Sequence, residues 1–82
     1  MKIQVRLFAI LRQYAGVERI ELEIDPGLTA RAAASLVARQ YPQIATHLAK
    51  VSLAVNRQIA PGDQLLCDGD ELALLPAVSG GV

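Results

Sequence analysis

The sequence predicts an α+β domain in which one principal helix packs on one face of a mixed sheet of four to five strands, and three observations carry that prediction. Apolar and polar residues alternate strictly over 2–8 and again over 19–24. An alanine-rich stretch over 30–41 has apolar residues at helical spacing. From 51 onward, short apolar runs are separated by turns rich in Pro, Gly and Asp. Strands before and after a single helix, each with one apolar face, must bury those faces against that helix.

In the first strand Ile3, Val5 and Leu7 share a face opposite Lys2, Gln4 and Arg6, a half-buried pattern. The second runs from Arg19 to Ile24, with Ile20, Leu22 and Ile24 inward and Arg19, Glu21 and Glu23 outward. Antiparallel pairing of the two is expected to set opposite charges face to face. The connection through Ala9-Ile10-Leu11-Arg12-Gln13-Tyr14-Ala15-Gly16 is too long for a two-residue hairpin and predicts a short helical turn ended by Gly16. Asp25-Pro26-Gly27 is a turn, because Pro presets φ and Gly supplies a positive one. Thr29 then caps a helix over 30–41, with Ala33, Leu36, Val37 and Gln40 on one stripe and Leu28 placed to pack back against Ala33. Pro42 ends it.

Val51-Ser52-Leu53-Ala54-Val55 predicts a third strand, and Asn56 a polar turn after it. Beyond Ile59, Pro61-Gly62-Asp63 turns, Leu65-Leu66-Cys67 is expected to add a short strand, and Asp68-Gly69-Asp70 turns again. Glu71-Leu72-Ala73-Leu74-Leu75 is the last strand, stopped by Pro76. If the first and last strands lie adjacent and parallel at the centre of the sheet, the fold is a β-grasp; periodicity does not fix that order. The domain is read as 1–76, with 77–82 as a flexible tail.

With 82 residues the chain makes one domain, and a chain this small buries only about 60 to 65 per cent of its unfolded surface. Eight basic and eight acidic residues give zero formal net charge, and only 4% of residues are aromatic. Neither a basic field for phosphates nor a stacking platform for bases is present, which argues against nucleic-acid binding. A single cysteine excludes an internal disulfide, and together with an amino end lacking a continuous apolar run this predicts a cytoplasmic protein. No run reaches the roughly 20 apolar residues of a membrane span.

The residue types needed for catalysis are nearly missing. One histidine and one cysteine form no metal-ligand spacing, and no glycine-rich nucleotide loop occurs. His47 is expected at the surface or in a cap, and Cys67 as an inert thiol buried in a strand. The carboxylates Asp68, Asp70 and Glu71 are read as turn chemistry, being too few for a calcium loop. The sequence instead points to its last residues, Pro76-Ala77-Val78-Ser79-Gly80-Gly81-Val82, a stretch poor in side chains. Two glycines let backbone enter a channel too narrow for Cβ atoms.

Read with the Asp68-Gly69-Asp70-Glu71 turn, the apolar strand and Pro76, this ending resembles the closing motif of the MoaD/ThiS sulfur carriers. Leu7-Phe8-Ala9-Ile10-Leu11-Arg12, Ala15-Gly16, Tyr41-Pro42 and Val55-Asn56 extend the resemblance over nearly the whole chain. It is most similar to the small subunits of molybdopterin synthase, and it implies the β-grasp order. It also implies that the carrier binds no cofactor itself. A MoeB-like adenylating enzyme would activate the Gly81 carboxylate with ATP, and sulfur would be held there as a thiocarboxylate. Gly80 would let the tail pass, and Val78 and Ser79 would line its path into the large synthase subunit, in a heterotetramer. Phe8, Ile59 and Leu75 match apolar partner contacts and Arg12 a charged one, although Phe8 and Leu75 fit an ordinary core equally well.

Two positions depart from the family pattern. Ala77 replaces a second proline, which loosens the tail. Val82 leaves the Gly81 carbonyl in an amide that cannot attack ATP. Removal of Val82 by a peptidase, Val82 as an expression artefact or fusion stub, and a β-grasp module that carries nothing all fit the sequence, and the first is the expected one. A carrier for thiamin or cysteine synthesis, or a ubiquitin-like modifier, is the alternative within the same chemistry.

Overall fold

The computed structural model describes residues 1–76. Val78, Ser79, Gly80 and Gly81 therefore lie outside the described residues, as does Val82. The chain forms β1 (Lys2–Leu7), α1 (Ala9–Ala15), β2 (Arg19–Glu23), α2 (Ala30–Gln40), α3 (Pro42–Ala45), a 3₁₀ turn (Leu48–Lys50), β3 (Ser52–Val55), β4 (Gln58–Ala60) and β5 (Glu71–Leu75). The strands make one sheet in the order β2-β1-β5-β3-β4. β1 and β5 are parallel neighbours at its centre, and the other three pairings are antiparallel. This is the β-grasp order.

Period-two alternation sends Ile3, Val5, Leu7, Ile20, Leu53, Leu72 and Leu74 to one face, where all are buried. α2 lies across that face with Ala30, Ala33, Ala34 and Val37 fully or almost fully buried. Leu11 of α1 and Ile44 of α3, both with no exposed surface, complete the same core. Each buried leucine or isoleucine contributes about 1.5–3 kcal/mol, so the strands and helices are held chiefly by this one cluster.

Local chemistry sets the element ends. The Thr29 hydroxyl accepts from the Ala32 N–H at 3.2 Å, capping α2. Gly16, at φ 75°, closes α1 by donating its N–H to the Arg12 carbonyl. The Leu28 N–H reaches the Asp25 carbonyl across a turn with Gly27 at φ 89°, the geometry of a type II turn with Pro at its second position. Pro42 ends α2 but also begins α3, since proline at a first helical position loses no hydrogen bond.

The Asp68-Gly69-Asp70 segment is a structural knot. Asp70 N–H donates to the Cys67 carbonyl, and Gly69 holds φ 85°. The Asp70 carboxylate accepts from the Cys67 N–H at 2.7 Å and from the Asn56 side-chain amide at 2.9 Å. The Asn56 amide oxygen accepts from the Glu71 N–H at 3.0 Å, and Asp68 accepts from the Lys2 N–H at 2.8 Å. These bonds tie the turn to the β3–β4 hairpin and to the start of β1.

Several expectations are corrected. Leu65-Leu66-Cys67 is not a strand: it makes one isolated bridge, Leu65 to Thr29, because its backbone is tied to the loop before α2 and to Asp70. Cys67 is consequently exposed rather than buried. The segment after Asn56 is a strand, β4, closed on β3 by a two-residue hairpin in which Asn56 and Arg57 have φ 51° and 71°. Charge pairing between β1 and β2 holds only in part. Lys2 faces Glu23, but Arg6 faces Arg19. His47 makes no cap hydrogen bond and stacks on Tyr14, with ring centroids 5.3 Å apart.

Replacing Asp70 with Ala removes the acceptor for two donors at once. The Asp70→Ala protein is expected to lose about 1–3 kcal/mol of stability, measured as a lower urea midpoint with an unchanged slope.

Candidate functional site: the open sheet face and the strand end

α2 covers one face of the sheet, and the other is free of helices. Because β1 and β5 run parallel, their carboxyl ends finish at the same edge. Leu7 pairs with Leu74, so the next step along each strand sets Phe8 beside Leu75, with Pro76 immediately following. Ser52 of β3 stands on the other side of Leu75. The chain thus leaves the sheet toward residues 77–82 at a point flanked by Phe8.

The alternation that buries Leu7, Leu72 and Leu74 turns Phe8, Ala73 and Leu75 to the open face. This settles the two readings of Phe8 and Leu75: neither lies in the core, and both are half-buried. Phe8 is shielded by Arg6, whose guanidinium carbon lies 5.0 Å from the ring centroid, within cation–π range. Ile59 reaches the same face from β4 and is 73% exposed. Residue register places Ala54 between Ile59 and Ala73. Those two alanines are only 5% and 7% exposed, so they form a shallow floor among Phe8, Leu75 and Ile59.

Arg12 is exposed and projects from the last turn of α1, not from the sheet, so it joins this surface only through the helix that follows Phe8. The structure therefore brings together Phe8, Leu75 and Ile59 and sets Arg12 apart on a neighbouring element. Sequence reasoning missed Ala54 and Ala73. Their signal was present: small residues at the outward positions of two strands whose inward positions are all large.

Ala9 makes the bend from β1 into α1 at φ 51°, in the left-handed region. For a residue with a Cβ this costs about 1–2 kcal/mol, and it sits directly beside Phe8. Among the described residues no group of His, Cys, Asp or Glu is arranged to hold a metal ion. No helix among them is long and apolar enough to cross a membrane.

This architecture is that of a ubiquitin-like β-grasp protein. The chain belongs to the ThiS family, whose model matches residues 5–81, and it is a MoaD-like sulfur carrier. It is 34% identical over 82 residues to the molybdopterin synthase sulfur carrier subunit of Mycobacterium tuberculosis, covering 99% of both chains. Among solved structures it is similar to SAMP1 from Haloferax volcanii, with TM-score 0.89, 26% identity, and coverage of 99% of this chain and 100% of that one. It also resembles a chain of the Amycolatopsis orientalis BexX/CysO complex, with TM-score 0.71 and 27% identity over 96% of this chain and 99% of that one.

Relieving the bend at Ala9 separates strain from packing. Ala9→Gly is expected to keep or raise the thermal midpoint and Ala9→Val to lower it, since a β-branched residue fits the left-handed region worst. The reverse order would show that the bend is unstrained.

Proposed function

We propose that this chain is the small subunit of molybdopterin synthase and carries sulfur as a thiocarboxylate on Gly81 once the Gly81–Val82 bond is cut. The observation that carries this reading is the position of the strand end. In the sequence, Val78-Ser79-Gly80-Gly81 comes two residues, Pro76 and Ala77, after a central strand whose end lies beside an apolar open face. End-to-end similarity to a molybdopterin synthase sulfur carrier subunit supports the pathway.

In this scheme a peptidase first hydrolyses the Gly81–Val82 amide and leaves a Gly81 carboxylate. A MoeB-like adenylating enzyme joins that carboxylate to AMP from ATP, with release of pyrophosphate. A sulfur donor then displaces AMP, and the carbonyl carbon keeps sulfur in place of one oxygen. The tail enters the large synthase subunit, where the thiocarboxylate sulfur bonds to a pterin precursor and water then cleaves the acyl C–S bond, which returns Gly81 to a carboxylate. Gly80 and Gly81 carry no side chain past the walls of that channel, and Val78 and Ser79 line the approach. The body contributes binding energy through Phe8, Ile59 and Leu75, with Arg12 beside them, so that the carbonyl carbon is held within about 3–3.5 Å of the reacting atoms. All of these steps belong to the cytoplasm, where the partners are expected to meet.

A second reading, as a protein modifier, is favoured by the likeness to SAMP1, a name that stands for small archaeal modifier protein 1. It uses the same activated Gly81 and differs in the acceptor, a lysine amine in place of a sulfur donor.

Intact mass of the protein from its native cell is expected to show loss of one valine and replacement of one oxygen by sulfur. Retention of Val82 while the pathway is active would sink the scheme. Removing Gly81 and Val82 together is expected to leave folding and binding to the large subunit nearly intact while abolishing sulfur transfer, because among the described residues the core ends at Leu74. Separately, chains linked through Gly81 to lysines of other proteins would move the assignment to the modifier.

A further inference from the structure

One row crosses the whole open face. In register, Arg19, Arg6, Ala73, Ala54 and Ile59 follow one another over the five strands. The Ile59 end is apolar and the middle is flat, but the other end sets two arginines directly opposite each other in register. Like charges opposed across an antiparallel pair destabilise the sheet, and among the described residues the two arginines have only one carboxylate near them, Glu71 beside Arg6. Arg6 leans away toward Glu71, at 3.8 Å, yet Arg57 reaches the same carboxylate at 4.0 Å. Glu21, one row further along, lies 3.8 Å from Lys2. Among the described residues Arg19 has no carboxylate within 4.0 Å, and the Arg6 Nε donor is buried without an acceptor.

Resting on the reading of the open face as a docking surface, we propose that Arg19 and Arg6 form a receptor for a carboxylate on the partner protein, which fixes the partner's register along this row. A surface that covers Ala73, Ala54 and Ile59 also removes water from the neighbouring guanidiniums. That desolvation is unfavourable unless an anion replaces the water. A planar guanidinium matches a carboxylate through paired N–H donors, and one carboxylate between the two arginines relieves their mutual repulsion. A nucleic acid fits less well, because the chain carries zero net charge and the rest of the row is apolar. The occupant is thus a protein surface with an acidic side chain flanking an apolar patch.

The test uses the full chain and the purified large subunit of molybdopterin synthase, with association followed by biolayer interferometry from about 0.05 to 0.5 M NaCl, a range over which exposed charges become screened. Arg19→Ser is expected to keep or raise the thermal midpoint while weakening binding about fivefold, mainly by slower association, and to flatten the salt dependence. Arg6→Gln is expected to weaken binding further, and Arg39→Ser, on exposed α2 surface, to change nothing. A purely structural role for Arg19 would lower the midpoint and leave the salt dependence intact. Binding by Arg19→Ser and Arg6→Gln that equals the unaltered chain at every salt concentration would overturn this inference alone. Failure of the unaltered chain to bind would overturn the small-subunit reading and this inference with it. Binding of a fluorescent single-stranded DNA 20-mer that disappears in Arg19→Ser would reassign the arginines to phosphate and also refute the proposal.

Discussion

Parallel pairing of β1 with β5 is the constraint on which the rest of the molecule depends. It joins residues nearly the whole chain apart, Gln4 with Glu71 and Leu7 with Leu74, so the two ends of the sequence become the centre of the sheet. β2 and β3 can then only add outside them. The same pairing points both strands to one edge, which puts Phe8 beside Leu75. Closing so long a loop is entropically costly. The cost is offset by five large aliphatic residues of these two strands, Ile3, Val5, Leu7, Leu72 and Leu74, none more than 1% exposed.

Alanine serves both layers for the same steric reason. On α2, Ala30, Ala33 and Ala34 let the helix sit close enough to the sheet for a core with almost no aromatic material. On the opposite face, Ala54 and Ala73 leave the middle of the sheet low. Larger residues there would fill the depression and move any docking surface outward. One small side chain thus packs the core on one side and keeps the open face low on the other.

The charged residues divide into those that hold the fold and those that do not. Asp70, Asp68 and Asn56 satisfy backbone N–H groups where three segments meet, and hydrogen bonds to a charged carboxylate are stronger than neutral ones. Arg6 and Arg19 oppose each other in register and serve no turn or cap, and among the described residues only Arg6 has a carboxylate, Glu71, beside it. Local rules are broken at this pair, at Ala9 and at Arg57, all outside the hydrophobic core. Departures of this kind are expected where function rather than folding sets the residue.

The sequence by itself determined the strands with one apolar face, the capped helix, and the turns at Asp25-Pro26-Gly27 and Asp68-Gly69-Asp70, because period, capping and positive φ are written in neighbouring residues. It also made the glycine-bearing tail and the candidates Phe8, Ile59, Leu75 and Arg12 legible, through their place in a motif. Only the tertiary structure decided strand order, the exposure of Cys67, the conversion of the segment after Asn56 into β4, and the outward facing of Phe8 and Leu75. It alone showed that Ala54 and Ala73 lie side by side and that Arg6 meets Arg19. Those outcomes depend on which strands pair and in what register, and contacts between residues distant in the chain leave no local periodicity from which to read them.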